Sequence, residues 1–329
     1  MERIIPNDIK YNTVSLFSGI GGFDLGFMYA GFNIIWANDF DKYACQTYKE
    51  NVSKNIICGD IRIEMENIPP HDVLIGGFPC QPFSTLGKLK GFEDEERGTL
   101  FFVIKEIIKK HRTKVVVLEN VKNIMNHDKG NTFRKIIHEL ESLGYVCFSH
   151  VFNSADYGVP QRRNRCYIVA FLGEYLNTPN FVFPEKQQLT ITTQDLLDDD
   201  VPEKYFLTKR IYPTIMGCGT KKYIVTPSYD LKVSKTLTAT MAKMHRASQD
   251  NYVTDQHNYE KYCHNDRVNI RKLTPNECRK LQGFPSDWKQ VVSDCQAYKQ
   301  FGNAVTVNVS YELANSLMTY INKNKKRNW

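Results

Sequence analysis

The amino-terminal half of the chain alternates strand, turn and helix signals, and that alternation leaves few folds open. Thr13-Val14-Ser15-Leu16-Phe17 reads as a buried strand running into the glycine-rich turn Ser18-Gly19-Ile20-Gly21-Gly22. Apolar residues at helical spacing follow (Phe23, Leu25, Phe27, Met28, Ala30). A strand over 33–37 ends in Asn38-Asp39-Phe40, and a helix from 41 to about 50 leads to a short strand, Ile56-Ile57-Cys58, and then Gly59-Asp60-Ile61. The pattern continues with a strand over 73–75, a helix over 99–109 and a strand over 114–118. A helix over 132–143 and strands over 145–153 and 166–171 complete it. Such alternation predicts an α/β domain with a largely parallel sheet, with ligands at the carboxyl ends of the strands.

From about 185 to 269 the rhythm breaks. Short β-like runs sit between Gly, Pro, Asn and Asp, with no long helix, so this stretch reads as a separate irregular lobe. Over 186–272 it carries 14 Lys and Arg against 10 Asp and Glu, a basicity as compatible with a plain solvated insertion as with a partner. Helical signals return at Thr274-Pro275, a capping residue followed by proline and then Glu277. The last helix, over 304–321, is expected to pack back on the first domain. The reading is therefore one domain of 1–185 plus 270–329, with 186–269 a second, smaller one.

Composition excludes other classes. The nine cysteines are odd in number, scattered, and never in Cys-x-x-Cys spacing, which predicts free reduced thiols and no structural metal. Apolar runs such as Val115-Val116-Val117-Leu118 are far short of the ~20 residues a membrane helix needs, and the start lacks the order of a secretory signal. A cytoplasmic protein is expected. The charge, 43 basic residues against 36 acidic, permits nucleic-acid binding without demanding it.

Three turns on consecutive strands suit a nucleoside. Gly19, Gly21 and Gly22 let backbone approach a ligand, although Gly-x-Gly-Gly is not the phosphate fingerprint Gly-x-Gly-x-x-Gly. Asp39, about twenty residues on, stands where an acid grips ribose hydroxyls, and Asp60 follows the third strand in the same way. A dinucleotide would fit these features as well. Gly76-Gly77-Phe78-Pro79-Cys80-Gln81-Pro82-Phe83-Ser84 places a cysteine after the fourth strand, where a nucleophile is useful, although an isolated cysteine is ordinarily a core residue. Glu119-Asn120-Val121 puts a carboxylate on the same rim, and Gln161-Arg162-Arg163-Asn164-Arg165 is, taken alone, a solvated basic turn.

In this order the elements resemble the cytosine-5 DNA methyltransferases, compact bacterial restriction-modification type, over about 13–318. Phe17 to Gly22 resembles the cofactor loop, Pro79-Cys80-Gln81 the nucleophile motif, Glu119-Asn120-Val121 the acid, and Gln161 to Arg165 the arginine motif. Arg271-Lys272-Leu273-Thr274 through Gln282-Gly283-Phe284-Pro285 resembles the block closing the variable region, and Tyr298 to Val305 the last motif. The resemblance implies a Rossmann-like, S-adenosylmethionine-dependent methyltransferase domain of α/β class with a smaller, irregular, β-rich target-recognition domain. It implies Cys80 as nucleophile, Glu119 at ring nitrogen 3, and Arg165 with Arg163 fixing the base and the acid. Phe17, Gly19, Gly21, Gly22, Asp39, Phe40, Asp60, Ile61, Pro79 and Asn303 would hold the cofactor. This chain has Asp39 where many members carry glutamate, and Phe40 where tryptophan is frequent.

The substrate expected is double-stranded DNA with its cytosine flipped out, since a stacked base cannot reach such a pocket. Ser84, Lys88 and Arg97 would lie on a closing loop. Thr236, Arg246 and Gln249 would read bases, and Lys221, Lys222 and Lys243 would touch phosphates. The enzyme would act as a monomer, beside a separately acting endonuclease. A transfer-RNA cytosine-5 methyltransferase shares the catalytic motifs. A dinucleotide-dependent dehydrogenase would leave Cys80, Glu119 and the arginines idle, and a silent DNA-binding relative would not need Cys80 and Glu119 intact.

Overall fold

Seven of the apolar runs pair into one sheet in the computed structural model, which describes residues 2–6, 8–78, 100–175, 177, 180–216, 228–242, 245–263, 266–327 and 329. The elements are β1 Lys10–Leu16, α1 Gly22–Tyr29, β2 Phe32–Asp39, α2 Lys42–Asn51, β3 Ile56–Cys58, α3 Ile61–Glu64, β4 Val73–Gly77, α4 Leu100–His111, β5 Val115–Val121, α5 Asn131–Ser142 and β6 Tyr145–Asn153. After β7 Gln161–Arg162 comes β8 Asn164–Leu172, and the sheet order is β3-β2-β1-β4-β5-β8-β6. The pairs β1–β2, β1–β4, β2–β3 and β4–β5 are parallel. Strand β8 runs antiparallel to β5, so the sheet is parallel-dominated rather than parallel throughout.

Residues 73–75 and 115–118 are buried whether they point up or down, which is why their sequences run apolar without alternation. Val14, Leu16, Leu74, Val116, Leu118, Ile104, Ile136 and Ile168 form the centre of the core, each contributing roughly 1.5–3 kcal/mol by leaving water. Asp41 caps α2 by accepting from the backbone of Tyr43 and Ala44, and Asp60 caps α3 by accepting from Arg62.

Two compact units emerge. One comprises Arg3–Phe152, Asn164–Glu185 and Val309–Trp329 and holds the sheet; the other comprises Met1–Glu2, Asn153–Arg163 and Lys186–Asn308. The unit containing 186–269 thus also takes in 153–163 and 270–308, so these units and the two-domain partition expected from sequence have different boundaries. The second unit holds a three-stranded antiparallel sheet ordered β11-β12-β9, from β9 Phe206–Thr208, β11 Tyr252–Thr254 and β12 Arg267–Lys272. In the same unit β7 pairs with β10 Ser234–Lys235.

Among the described residues its helices are short: α6 Tyr212–Met216, α7 Gln256–Tyr262, α8 Pro275–Leu281 and α9 Asp294–Asn303. Helix α8 starts with the expected Thr274–Glu277 capping box, and Glu277 also pairs with the fully buried Arg271. Cys45, Cys58, Cys147, Cys166, Cys263, Cys278 and Cys295 are free thiols. Among the described residues no helix is long and apolar enough to cross a membrane.

Helix α10, Val307–Asn324, belongs to the sheet unit from Val309 on. Ser310 donates its hydroxyl to the Phe23 carbonyl at 2.6 Å. A Cβ on Gly26 would stand 2.3 Å from Ser310 Oγ and 2.5 Å from the Tyr311 backbone nitrogen. Glycine here lets two helices touch backbone to backbone. Gly26→Ala is expected to lower stability by about 1–3 kcal/mol, read by urea unfolding; a wild-type midpoint would show that the helices separate freely.

Candidate active site and recognition unit

The turn after β1 is built by backbone conformation. Phe17 has φ +54°, Gly19 +56° and Gly21 +87°, so the chain reverses within five residues. Ser18 N–H donates to the Asn38 carbonyl at 2.9 Å, and Gly19 N–H donates to Asp39 Oδ2 at 2.7 Å. Asp39 Oδ1 accepts from Asp41 N–H at 2.8 Å, so one carboxylate joins this turn to the start of α2. A Cβ on Gly19 would meet nothing within 4 Å, whereas one on Gly21 would lie 2.8 Å from Val52 and 3.0 Å from the Tyr48 ring.

Phe40 is 78% exposed, a rare state for phenylalanine at the end of a central strand. The buried Asn38 amide donates to the Ile57 and Gly59 carbonyls and so fixes the end of β3. Just beyond, Asp60 is ion-paired with Arg62, whose hydrogen bonds hold its carboxyl below the usual range. The Ile61 side chain is core, so a role toward a ligand falls to its backbone. Open space beside Gly19, an exposed ring at 40 and carboxylates at 39 and 60 fit an adenosine.

Beneath this turn lies an acid for which sequence reading assigned no role. Asp24 is fully buried in the first turn of α1. Its Oδ1 accepts from the Ser15 hydroxyl at 2.7 Å and its Oδ2 from the Tyr48 hydroxyl at 2.6 Å. Burial raises its pKa to about 6, and the charge of Asp39 adds to this. A polar side chain among buried Phe23, Leu25 and Phe27 is the sequence signal that could have marked it.

Glu119 is buried near the carboxyl end of β5, and Gly77 at the end of β4 pairs with it in register. Arg165 Nε lies 3.0 Å from Glu119 Oε1. In the antiparallel register Glu119 faces Tyr167 and Arg165 faces Val121, so the two are diagonal neighbours on one face, within reach of long side chains. Asn120, next along β5 and on its opposite face, donates its amide to the Phe78 carbonyl at 2.9 Å and so holds the end of the chain that leads toward Cys80. Pro79, Cys80, Ser84, Lys88 and Arg97 lie outside the described residues, as do Lys221, Lys222 and Lys243.

Arg163 belongs to the other unit and is 1% exposed. Its guanidinium donates to the carbonyls of Leu237 (3.0 Å), Gly302 (3.1 Å) and Ala304 (2.7 Å). Gln161 accepts from Leu237 N–H and donates to the Leu281 carbonyl, while Thr306 donates its hydroxyl to Gln282 Oε1. A Cβ on Gly302 would lie 2.2 Å from the Thr238 backbone. Three motifs read as separate blocks thus meet through Arg163 and Gln161 beside the irregular segment that follows β10.

Thr236 and Gln249 line one small cleft together with His245, Asp250 and Lys272. Thr236 donates its hydroxyl to the Arg162 carbonyl, and Arg246 donates to Gln249 Oε1 at 2.6 Å. Asn303 is exposed at the end of α9.

A family model described as C-5 cytosine-specific DNA methylase matches residues 11–319. The chain is 38% identical over 323 residues to the Type II methyltransferase M1.ScrFI of Lactococcus lactis subsp. cremoris, covering 96% of this chain and 80% of that one. It is 39% identical to the Type II methyltransferase M.Bsp6I of a Bacillus strain, covering 92% and 97%. In fold it matches the Entamoeba histolytica methyltransferase EhMeth, with TM-score 0.71, 20% identity and coverage of 97% and 99%. It also matches the S. pombe Dnmt2 methyltransferase, with TM-score 0.70, 18% identity and coverage of 94% and 98%.

Two outcomes follow from these contacts. Arg163→Met, which strands three carbonyls, is expected to cost about 3–5 kcal/mol in urea unfolding, while Arg162→Ala, whose side chain is exposed, should stay within about 0.5 kcal/mol. Equal effects would remove Arg163 from its structural role. Asp24 has a folded pKa above its ordinary value of 3.8. Its contribution to stability is therefore complete below about pH 4 and lost as pH rises through about 6, on the order of 3 kcal/mol in all. Unfolding measured from pH 4 to 7 should show this decline in the wild type relative to Asp24→Asn; parallel curves would refute it.

Proposed function

The chain belongs to the C-5 cytosine-specific DNA methylase family, and we propose that it methylates carbon 5 of a cytosine flipped out of duplex DNA at a short specific site. Relatives at 38–39% identity named Type II methyltransferases support its being the modification enzyme of a restriction-modification system. In this reading it works in the cytoplasm as a monomer, with DNA as its partner and an endonuclease acting separately.

Carbon 5 of cytosine is a weak nucleophile. A thiolate from Cys80 adds to carbon 6, forming a covalent bond and turning the ring into an enamine. Glu119 holds or protonates ring nitrogen 3, which takes up the negative charge that this addition would otherwise leave on the ring. Arg165, 3.0 Å from the Glu119 carboxylate, fixes that acid's direction, and Arg163 holds the neighbouring backbone. Once carbon 5 is methylated, a base removes its proton, the bond to sulfur breaks, and the thiolate is regenerated.

S-adenosylmethionine, when bound, supplies the methyl group on a sulfonium centre. Phe17, Gly19, Gly21 and Gly22 would bring backbone to it, Asp39 would bind its ribose and Phe40 stack on its adenine. Asp60 and the backbone of Ile61 would meet the adenine edge, and Pro79 and Asn303 would complete the site. The exposed Phe40 ring and the open space at Gly19 support this assignment. Thr236, Arg246 and Gln249 would read bases, with Ser84, Lys88 and Arg97 over the flipped nucleotide.

The observation that carries the reading is the Glu119–Arg165 pair on the rim beside the end of β4, the strand that precedes Cys80. Bisulfite sequencing of DNA from an expressing host should show methylated cytosine in one sequence context. A duplex with 5-fluorocytosine at that site should trap the protein covalently when S-adenosylmethionine is present. Cys80→Ser should form no adduct, and Glu119→Gln should form it about 10²–10⁴-fold more slowly. An adduct with Cys80→Ser, or methylation of transfer RNA with duplex DNA untouched, would overturn the proposal.

A further inference from the structure

The glycine turn is anchored from below at two points, and both anchors end on the same side chain. Ser18, the first residue of the turn proper, donates its hydroxyl to Ser15 Oγ at 2.8 Å. Ser15 in turn donates to Asp24 Oδ1 at 2.7 Å. At the other end of the turn, the Tyr48 ring lies where a Cβ on Gly21 would come within 3.0 Å, and the Tyr48 hydroxyl donates to Asp24 Oδ2 at 2.6 Å.

We propose that Asp24 is the positioning residue of the cofactor loop: it touches no ligand, yet its carboxylate sets both ends of the turn that receives the adenosine. This rests on the reading that the turn binds S-adenosylmethionine. Three lines support it. A carboxylate buried to zero exposure is costly, and an apolar residue would serve folding alone, as Phe23 and Leu25 do on the same helix.

Second, only the anion accepts from both hydroxyls along these directions. Once protonated, one carboxyl oxygen carries a hydrogen of its own, and either Ser15 or Tyr48 must stop donating to it, which exchanges a charge-assisted bond for a weaker one and loosens the hold on Ser18 or on the ring under Gly21. Third, the surroundings set the proton's exchange in an accessible range. Ser15 from β1, Tyr48 from α2 and the like charge of Asp39 from β2 face the group, and burial holds its pKa near 6. The loop should therefore tighten as pH rises through that value.

The test uses the full chain with two isosteric variants, Asp24→Asn and Tyr48→Phe. Amide hydrogen exchange of residues 17–22 is measured without ligand, and S-adenosylmethionine binding is measured by calorimetry from pH 5 to 7.5, with thermal melts to confirm folding. In the wild type, the protection of these amides relative to their intrinsic exchange rate at each pH should rise and Kd fall as pH rises through about 6. Asp24→Asn should exchange faster, bind about tenfold more weakly at pH 7.5, and show no step near pH 6.

Tyr48→Phe should loosen the Gly21 end and weaken binding by a smaller factor, and it decides the matter if Asp24→Asn does not fold. Wild-type exchange rates and an unchanged pH profile in the folded variants would overturn the inference. If the wild type itself binds no S-adenosylmethionine, the cofactor reading fails instead, and the exchange of residues 17–22 still decides whether Asp24 positions the turn.

Discussion

A guanidinium sealed away from water organises the unit that carries the variable stretch. Arg163 gives its hydrogen bonds to backbone carbonyls, of Leu237 on one segment and of Gly302 and Ala304 on another. Carbonyls are present whatever the side chains are, so this arrangement fixes the path of the chain while leaving residue identity nearby unconstrained. Gln161 works in the same way on Leu237 and Leu281. Glycine at 302 permits the approach, because any Cβ would collide with the backbone of Thr238 and Ala239. Motifs that look like ligand-binding signatures thus act partly as internal framework.

The sheet unit follows a different economy, with polar groups concentrated at the carboxyl ends of its strands. Asp39 and Asn38 close β2 by binding backbone on both sides of it. Glu119 and Asn120 close β5, one bound to Arg165 and the other to the Phe78 carbonyl. Behind them β4 and β5 are apolar over 73–75 and 115–118, so the polar rim meets a low-dielectric wall in which its charges interact strongly.

Much of this was legible in the sequence, for physical reasons that can be named. Buried parallel strands read as unbroken apolar runs, and 73–75 and 115–118 did so. The capping box at Thr274 and the cap at Asp41 are local chemistry, visible without any tertiary contact. The direction of β8 was not legible, because periodicity carries no polarity. The link over 154–163 did hold a clue, being too short for the usual crossover to a parallel neighbour. Arg163 and Arg165, two residues apart, read as one cluster but serve different units. Asp24 escaped because one acid on an apolar helix says nothing of Ser15 and Tyr48, which only the fold brings to it.

The reversed strand β8 has a consequence for how such a chain tolerates change. Val115 to Leu118 pair across to Phe171 through Ile168, and the same register delivers Arg165 diagonally to Glu119. A slip of one residue would turn Arg165 to the opposite face, and a slip of two would carry it roughly 7 Å along the strand. Apolar pairing thus serves as the ruler by which a polar contact at the rim is measured out. An insertion or deletion inside either strand would break that measure while one in a loop would spare it, so length, more than residue identity, is what these two strands must keep unaltered.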